Sequence, residues 1–203
     1  MLVRGMYLKN NKFFFCIFLI FFYLISYKVC SETNNKTALI NYLESLQNFS
    51  ATFLQNDGEN LSEGKVYIGK KRVRAEYISP VKILIILDEN KAMYYNYELE
   101  EDEFFNPKNT NAWFFYDIFR NPLFFEDAKI EINDNQLTLE KIGIDSEDKK
   151  YFIKVYFENN PLVLRKVNVS ISNEHLTLSI YNHNYNEQFN KKLFKLINPT
   201  LLN

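Results

Sequence analysis

The sequence predicts a mainly β domain of the α+β class, and three observations carry that expectation. Arg72-Val73-Arg74-Ala75-Glu76-Tyr77 alternates charged and apolar residues strictly, which is the period of a half-buried strand. Short apolar or alternating runs recur along the chain, each bounded by Gly, Pro, Asn, Asp or Ser. No catalytic constellation interrupts the stretch from Gly64 to Phe105, which reads as an antiparallel meander with one wet face and one aliphatic-aromatic face.

Taken in order, Thr37 caps a predicted helix whose apolar face is Leu39, Leu43 and Leu46, with Asn41, Glu44 and Gln47 opposite. Phe49, Ala51 and Phe53 then alternate into a first strand, and Asp57 to Ser62 is a polar loop. Gly64-Lys65-Val66-Tyr67-Ile68 is the second strand, and Gly69-Lys70-Lys71 turns it into the Arg72 to Tyr77 strand. Ser79-Pro80 breaks the pattern, because proline has no ladder donor. Ile83-Leu84-Ile85-Ile86-Leu87 is apolar on both faces, so periodicity alone leaves its orientation open. Asp88-Glu89-Asn90 is a turn, since Asp and Asn tolerate left-handed backbone. Met93 to Tyr97 is an aromatic strand, followed by the acidic strand Glu98 to Glu103.

Asn106 to Asn111 is a loop, and Trp113 to Phe125 after it is the most aromatic part of the chain beyond the leader. Pro122 suits the first turn of a second short helix there. The last third is β again: Ala128 to Ile132, Leu137 to Glu140, Tyr151 to Phe157, Leu162 to Ile171 and Leu176 to Tyr181. Asn133-Asp134-Asn135, the charged loop from Ile144 to Lys150, Glu158 to Pro161 and Ser172-Asn173-Glu174 separate them.

Residues 1–31 read as a signal peptide, with residues 32–203 as the mature domain. Arg4, Lys9 and Lys12 make a positive start, and the apolar run from Phe13 to Ile25 is too short for a membrane span of about 20 residues. Val29-Cys30-Ser31 places cleavage after Ser31; an uncleaved anchor and a lipidated Cys30 are the alternatives. The 203-residue chain has 24 basic and 25 acidic side chains. Removing the leader leaves 20 basic against 25 acidic and takes away both cysteines, Cys16 and Cys30. A disulfide-stapled module and a thiolate zinc site are thereby excluded, and no basic face invites nucleic acid.

Enzymatic readings find little material. His175 and His183 have no Cys or Ser motif near them. Glu98, Glu100, Glu101, Asp102 and Glu103 are too dense for general acid-base work, which needs carboxylates with separated pKa values. Five glycines in the whole chain build no phosphate loop. What remains is apolar surface: 25 of the 34 aromatic residues lie beyond the leader. Composition leaves two uses open, an ordinary closed core and a concave apolar ligand site.

The order Gly64, Tyr67, Lys70-Lys71, Arg72, Arg74, Glu76, Tyr77, Pro80, Asp88, Tyr95 resembles the LolA family of periplasmic carriers of outer-membrane lipoproteins. Phe49, Phe53 and Gln55 before it, and Leu193-Phe194 with Asn198-Pro199 after it, fit the same pattern, so the resemblance runs from about Leu43 to Pro199. Two departures stand out: Lys70-Lys71 where the family has Arg-Pro, and Glu89-Asn90 where a Gly usually follows Asp88.

The resemblance implies a strongly curved antiparallel sheet forming an incomplete β-barrel, with an N-terminal helix and short lid helices over a hydrophobic cavity. It implies cavity walls from Val66, Ile68, Val73, Ala75, Ile83, Ile85, Leu87, Met93 and Tyr95, and a lid from Trp113, Phe114, Phe119, Leu123 and Phe124. A basic residue would latch the lid, with Arg72 and Lys70 the nearest candidates and Arg74 the next; the alternative for all three is ordinary solvent-facing charge. The implied cargo is the acylated N-terminus of lipoproteins. An inner-membrane lipoprotein-releasing ABC transporter would be the donor and an outer-membrane lipoprotein acceptor the recipient. No cofactor and no catalysis are implied, and the carrier would work as a periplasmic monomer. A lipid-binding or sensor module of the same fold and a closed-core structural envelope protein remain the alternatives.

Overall fold

The computed structural model describes residues 35–121, 123–145 and 147–202. The expected leader and its cleavage position lie outside the described residues. Residues 39–203 form one compact unit, and the architecture below is that of this unit.

A helix, α1, spans residues 35–45. Its Leu39 and Leu43, with Leu46 just beyond its end, are fully buried in the main core, as their spacing requires. Eleven strands follow: β1 (Phe49–Asn56), β2 (Leu61–Ile68), β3 (Val73–Ser79), β4 (Ile83–Leu87), β5 (Ala92–Asn96), β6 (Glu101–Phe105), β7 (Lys129–Asn133), β8 (Gln136–Ile144), β9 (Lys150–Glu158), β10 (Val163–Ile171) and β11 (Glu174–Asn184). A second helix, α2 (Trp113–Arg120), lies between β6 and β7.

All the strands pair antiparallel in one sheet, in the order β6-β5-β4-β3-β2-β1-β11-β10-β9-β8-β7. The first and last strands meet in the middle, and β6 and β7 are left as unpaired edges. The sheet is therefore curved but not closed. Register shifts at Ser50/Thr52, Glu63/Gly64 and Leu164/Lys166 mark the bends. Gly64 sits at one of them, where a Cβ would lie 2.4 Å from the Glu76 carbonyl oxygen and 2.5 Å from the Phe53 ring. Only glycine lets β2 approach β3 and Phe53 so closely.

The turns follow the sequence signals. Gly69 N–H donates to the Arg72 carbonyl at 2.8 Å, and Asp88 N–H to the Lys91 carbonyl at 2.9 Å. Asp134 and Ser172 take the positive φ that their hairpins demand. The expected second lid helix does not form. Residues 123–127 are a chain of tight turns, in which Phe124, Glu126 and Ala128 each donate to a carbonyl three residues back. The Asn121 side chain accepts from Leu123 N–H at 3.2 Å, a local bond that competes with helix.

The concave face holds the main core, with Phe53, Leu139, Ile153, Val155 and Phe157 nearly inaccessible. The convex face departs from the expected wet surface over β3 to β5. There Leu84, Ile86, Met93 and Tyr95 form a second buried cluster, covered by Leu196 from the segment after β11. That segment, residues 185–202, crosses the outer face as a strap. Glu187 N–H donates to the Asn48 carbonyl at 2.7 Å, and the Phe189 ring meets Tyr67 edge-on at 5.8 Å. Phe194 packs on Gly69, and Asn198 Nδ2 donates to Asp102 at 2.8 Å.

Two arginines of the β3 pattern hold the strap. Arg72 Nη1 donates to the Phe194 carbonyl at 2.8 Å while its Nε pairs with Asp88 at 2.6 Å. Arg74 Nη1 donates to the Leu193 carbonyl and its Nε to Glu76, both at 2.7 Å. Arg74 is only 8% exposed. A guanidinium fork suits this work because it serves a carboxylate and a carbonyl at once. Arg74→Met should keep the volume and lose these bonds, lowering stability by about 2 kcal/mol in urea unfolding and raising protease sensitivity within residues 185–202. An unchanged unfolding midpoint would show that the strap is held by its apolar contacts alone.

Candidate functional site

The open side of the sheet places α2 over its concave face. The helix reads WFFYDIFR, and its residues point in different directions at helical spacing. Ala112, Phe115 and Phe119 fall on one stripe and face an apolar cavity. Phe114 and Ile118 fall on a second stripe and are buried in the core. Arg120, in the last turn, donates through Nη2 to the Leu46 carbonyl at 2.7 Å. Among the described residues this is the hydrogen bond that joins an α2 side chain to the segment following α1.

The cavity is small and almost wholly apolar. Its walls are Phe53, Val66, Val73, Ala75, Tyr77, Ile85, Leu87, Leu178 and Ile180, roofed by Ala112, Phe115 and Phe119, and it encloses about 80 Å³. A groove of about 630 Å³ opens beside it and shares Tyr77, Ala112 and Phe115 with it. Phe114, Val169, Ile171 and Leu176 give that groove an apolar wall, and Asp57, Glu59, Glu174 and His175 give it a mainly acidic rim. Phe115 thus stands between the closed cavity and the open groove. Tyr77 keeps its hydroxyl satisfied by donating to Gln55 at 2.8 Å, and burial pushes its pKa up to about 12.

The side chains along α2 are strained electrostatically by burial. Desolvation raises the Asp117 pKa and lowers that of Arg120, with Tyr116 and Glu44 opposing the second shift. Arg120 Nε is buried without a hydrogen-bond partner among the described residues. The helix has no side-chain cap at Ala112, and eight residues are too few to be stable alone. Its neighbouring loop is tied by surface bonds, Lys108 Nζ to Asn90 at 2.9 Å and Asn111 Nδ2 to Glu174 at 2.9 Å.

The expected cavity walls divide. Val66, Val73, Ala75, Ile85 and Leu87 line the cavity; Ile68 is buried in the same core but away from the lining, and Ile83 lies at the strand end outside it. Met93 and Tyr95 belong to the opposite face. The register sets Ile86 against Met93 and Leu84 against Tyr95, and cross-strand partners share a face. Ile85 and Leu87 face inward, so the alternate set must face outward.

The expected lid residues divide too. Phe119 enters the cavity, and Phe114 lines the groove. Trp113 turns sideways onto Tyr151, with ring centroids 5.2 Å apart, and onto Phe124 at 5.9 Å. Leu123 is 68% exposed.

Of the expected latch residues, Arg72 and Arg74 reach the C-terminal strap rather than α2, because they alternate with the cavity-facing Val73 and Ala75 and so point outward. Lys70 is exposed and lines a separate pocket between α1 and α2. Phe115 and Arg120, unassigned in the sequence reading, take the two positions that matter most. The Phe115–Phe119 spacing was there to be read once α2 had its bounds, but nothing local to Arg120 names Leu46 as its acceptor.

An open half-barrel with an apolar cavity under a short helix defines a class: a fold suited to binding apolar groups. The chain belongs to the LolA family; the family model, described as outer membrane lipoprotein carrier protein LolA, matches residues 44–197. No curated protein matches the chain. Among solved structures, an uncharacterized conserved protein from Thermus thermophilus has the same fold at 10% identity and a TM-score of 0.53, over 82% of this chain and 95% of that one. MucB in the Pseudomonas aeruginosa MucA/MucB complex aligns at 8% identity and a TM-score of 0.47, over 79% of this chain and 60% of that one. LprF from Mycobacterium bovis aligns at 8% identity and 0.37, over 74% and 93%.

The two arginine sets predict separable phenotypes. Arg120→Gln, too short to reach Leu46, should free α2 and raise binding of an apolar fluorescent dye roughly tenfold, the equivalent of one charge-assisted hydrogen bond. Arg72→Leu should leave dye binding unchanged and loosen the strap. The reverse pattern would return the latch to β3.

Proposed function

We propose that this protein carries the acyl chains of lipoproteins through the periplasm, sheltering them in the apolar cavity beneath α2. The observation that supports it is the cavity itself: apolar walls from both halves of the sheet and a roof made by one short helix. At about 80 Å³ it is well below the roughly 300–1,000 Å³ of occupied ligand sites, so loading requires α2 to lift and Phe115 and Phe119 to leave. Joined to the groove beside Phe115, the space becomes large enough for an acyl chain.

The energetics fit a carrier. Each methylene left in water costs about 0.8 kcal/mol, so a dozen cost roughly 10 kcal/mol. A cavity that merely matches a bilayer removes that barrier without trapping the chain. Cargo would come from an inner-membrane lipoprotein-releasing ABC transporter and pass to an outer-membrane acceptor. The expected signal peptide would deliver the carrier to the same compartment.

The test is acceptance of a labelled acylated lipoprotein by the purified mature protein, with its transfer to outer membranes. Wild type should form a soluble complex. Ile85→Glu, which sets a charge against the roof, should reduce complex formation at least tenfold with the far-ultraviolet spectrum unchanged, since an unpaired charge in an apolar site costs several kcal/mol. A folded Ile85→Glu protein that loads normally would remove the cavity from the mechanism. No complex with wild type would overturn the carrier reading.

A further inference from the structure

A second pocket, of about 320 Å³, lies between α1, the β2–β3 turn and α2. Its character differs from that of the groove. Lys70 and Lys71 from the turn and Arg120 from α2 line it, against one carboxylate, Glu44. Ile40, Leu43 and Phe125 supply apolar floor. Phe119 lines this pocket and also roofs the apolar cavity. One aromatic side chain therefore separates a basic pocket from the site for hydrocarbon.

Glu44 is the one carboxylate in the lining, against three cations. Both lysines are exposed. Arg120 is held by a single hydrogen bond to a carbonyl, and its buried Nε has none. A half-buried guanidinium with one hydrogen bond, through Nη2, keeps donors to spare, and an anion in the pocket it lines is a group that would accept from them. The acidic residues are elsewhere: Asp57, Glu59 and Glu174 ring the groove on the Phe115 side. An amphiphile entering the cavity thus meets a negative mouth at one end and a positive one at the other.

We propose that the pocket of Lys70, Lys71 and Arg120 receives the anionic head of an amphiphile, phosphate or carboxylate, whose chain enters the apolar cavity past Phe119. This rests on the cavity being a binding site for acyl chains, and it adds a second ligand class, an anionic amphiphile, and the place of its head group. The two lysines supply attraction in water, which salt screens. Arg120 supplies the directed contact, because its fork matches a planar or tetrahedral oxyanion. Binding an anion there would also bring a negative charge to the side chain that anchors α2, so ligand and lid are linked through one residue.

Dodecyl phosphate and dodecanol share a chain and differ in charge, and inorganic phosphate is the head alone. Displacement of an apolar dye from the mature protein should show dodecyl phosphate binding about tenfold more tightly than dodecanol, a gap worth one charge-assisted contact. Lys70→Gln with Lys71→Gln, exposed side chains whose loss leaves the core intact, should erase that gap and leave dodecanol unchanged. If inorganic phosphate at the same concentration weakens dodecyl phosphate but not dodecanol, the pocket recognises the anion itself. Equal binding of the two amphiphiles by wild type, or an equal loss of both in the double variant, overturns the basic pocket while leaving the carrier reading intact. Failure of both amphiphiles to displace the dye overturns the two together.

Discussion

The pairing of β1 with β11 governs this molecule. Because the first and last strands join in the middle of the sheet, the sheet curves around a core yet leaves β6 and β7 as edges that never meet. A closed barrel would satisfy its own backbone and seal its interior. An open one must cover its apolar faces with segments that are not strands. Here the connection between the two edge strands covers the concave side, and the tail after β11 covers the convex side. The edge at β6 is guarded by charge: Glu101, Asp102 and Glu103 are all exposed, which opposes pairing with another strand.

The two covers are held by different kinds of interaction. The strap is bound by two guanidinium forks, an aromatic contact chain through Phe189 and Phe194, and Leu196 on a fully buried cluster. α2 has one guanidinium bond, no side-chain cap and a carboxylate whose pKa is raised by its own burial. Since the convex cluster does not share residues with the cavity, lifting α2 leaves Leu84, Ile86, Met93 and Tyr95 packed. Lifting α2 would still uncover Phe114, Ile118 and Phe119, so the helix is held mainly by its apolar face.

Much of this was legible in the sequence. Each expected run corresponds to a strand, but bounds moved: residues 97–100 turn instead of opening the acidic strand, β2 begins at Leu61 within the expected loop, and β8 runs on to Ile144, whereas the alternation of Arg72 to Tyr77 correctly separated Val73 and Ala75 from Arg72 and Arg74. The strap was not legible, for a physical reason. Residues 185–202 have little regular structure, and what fixes them is the carbonyls of Leu193 and Phe194, groups every residue carries. The charged face of β3 therefore read as wet when it is covered. The 83–87 run failed differently: both its faces are buried, so period 2 carried no orientation, and only pairing with β5 turns Met93 and Tyr95 outward. Leu178 and Ile180 reach the cavity through the β1–β11 pairing, a contact between ends of the chain that local pattern does not contain.

The way the cavity is filled bears on how a ligand would leave it. In the closed form the space beneath α2 is occupied largely by Phe115 and Phe119, leaving only about 80 Å³. An apolar chain that enters displaces these two rings toward solvent, and each aromatic side chain gains roughly 1.5–3 kcal/mol from burial. The ligand therefore competes with the protein's own side chains, and the net gain on binding is the difference between two similar burial terms. That difference is small by construction. A protein with a permanently empty cavity would bind hydrocarbon more tightly, at a cost in stability for every void it kept. Filling the cavity with the roof's own aromatics keeps the empty state stable. When a ligand leaves, the returning rings would refill the space and offset part of the cost of its departure.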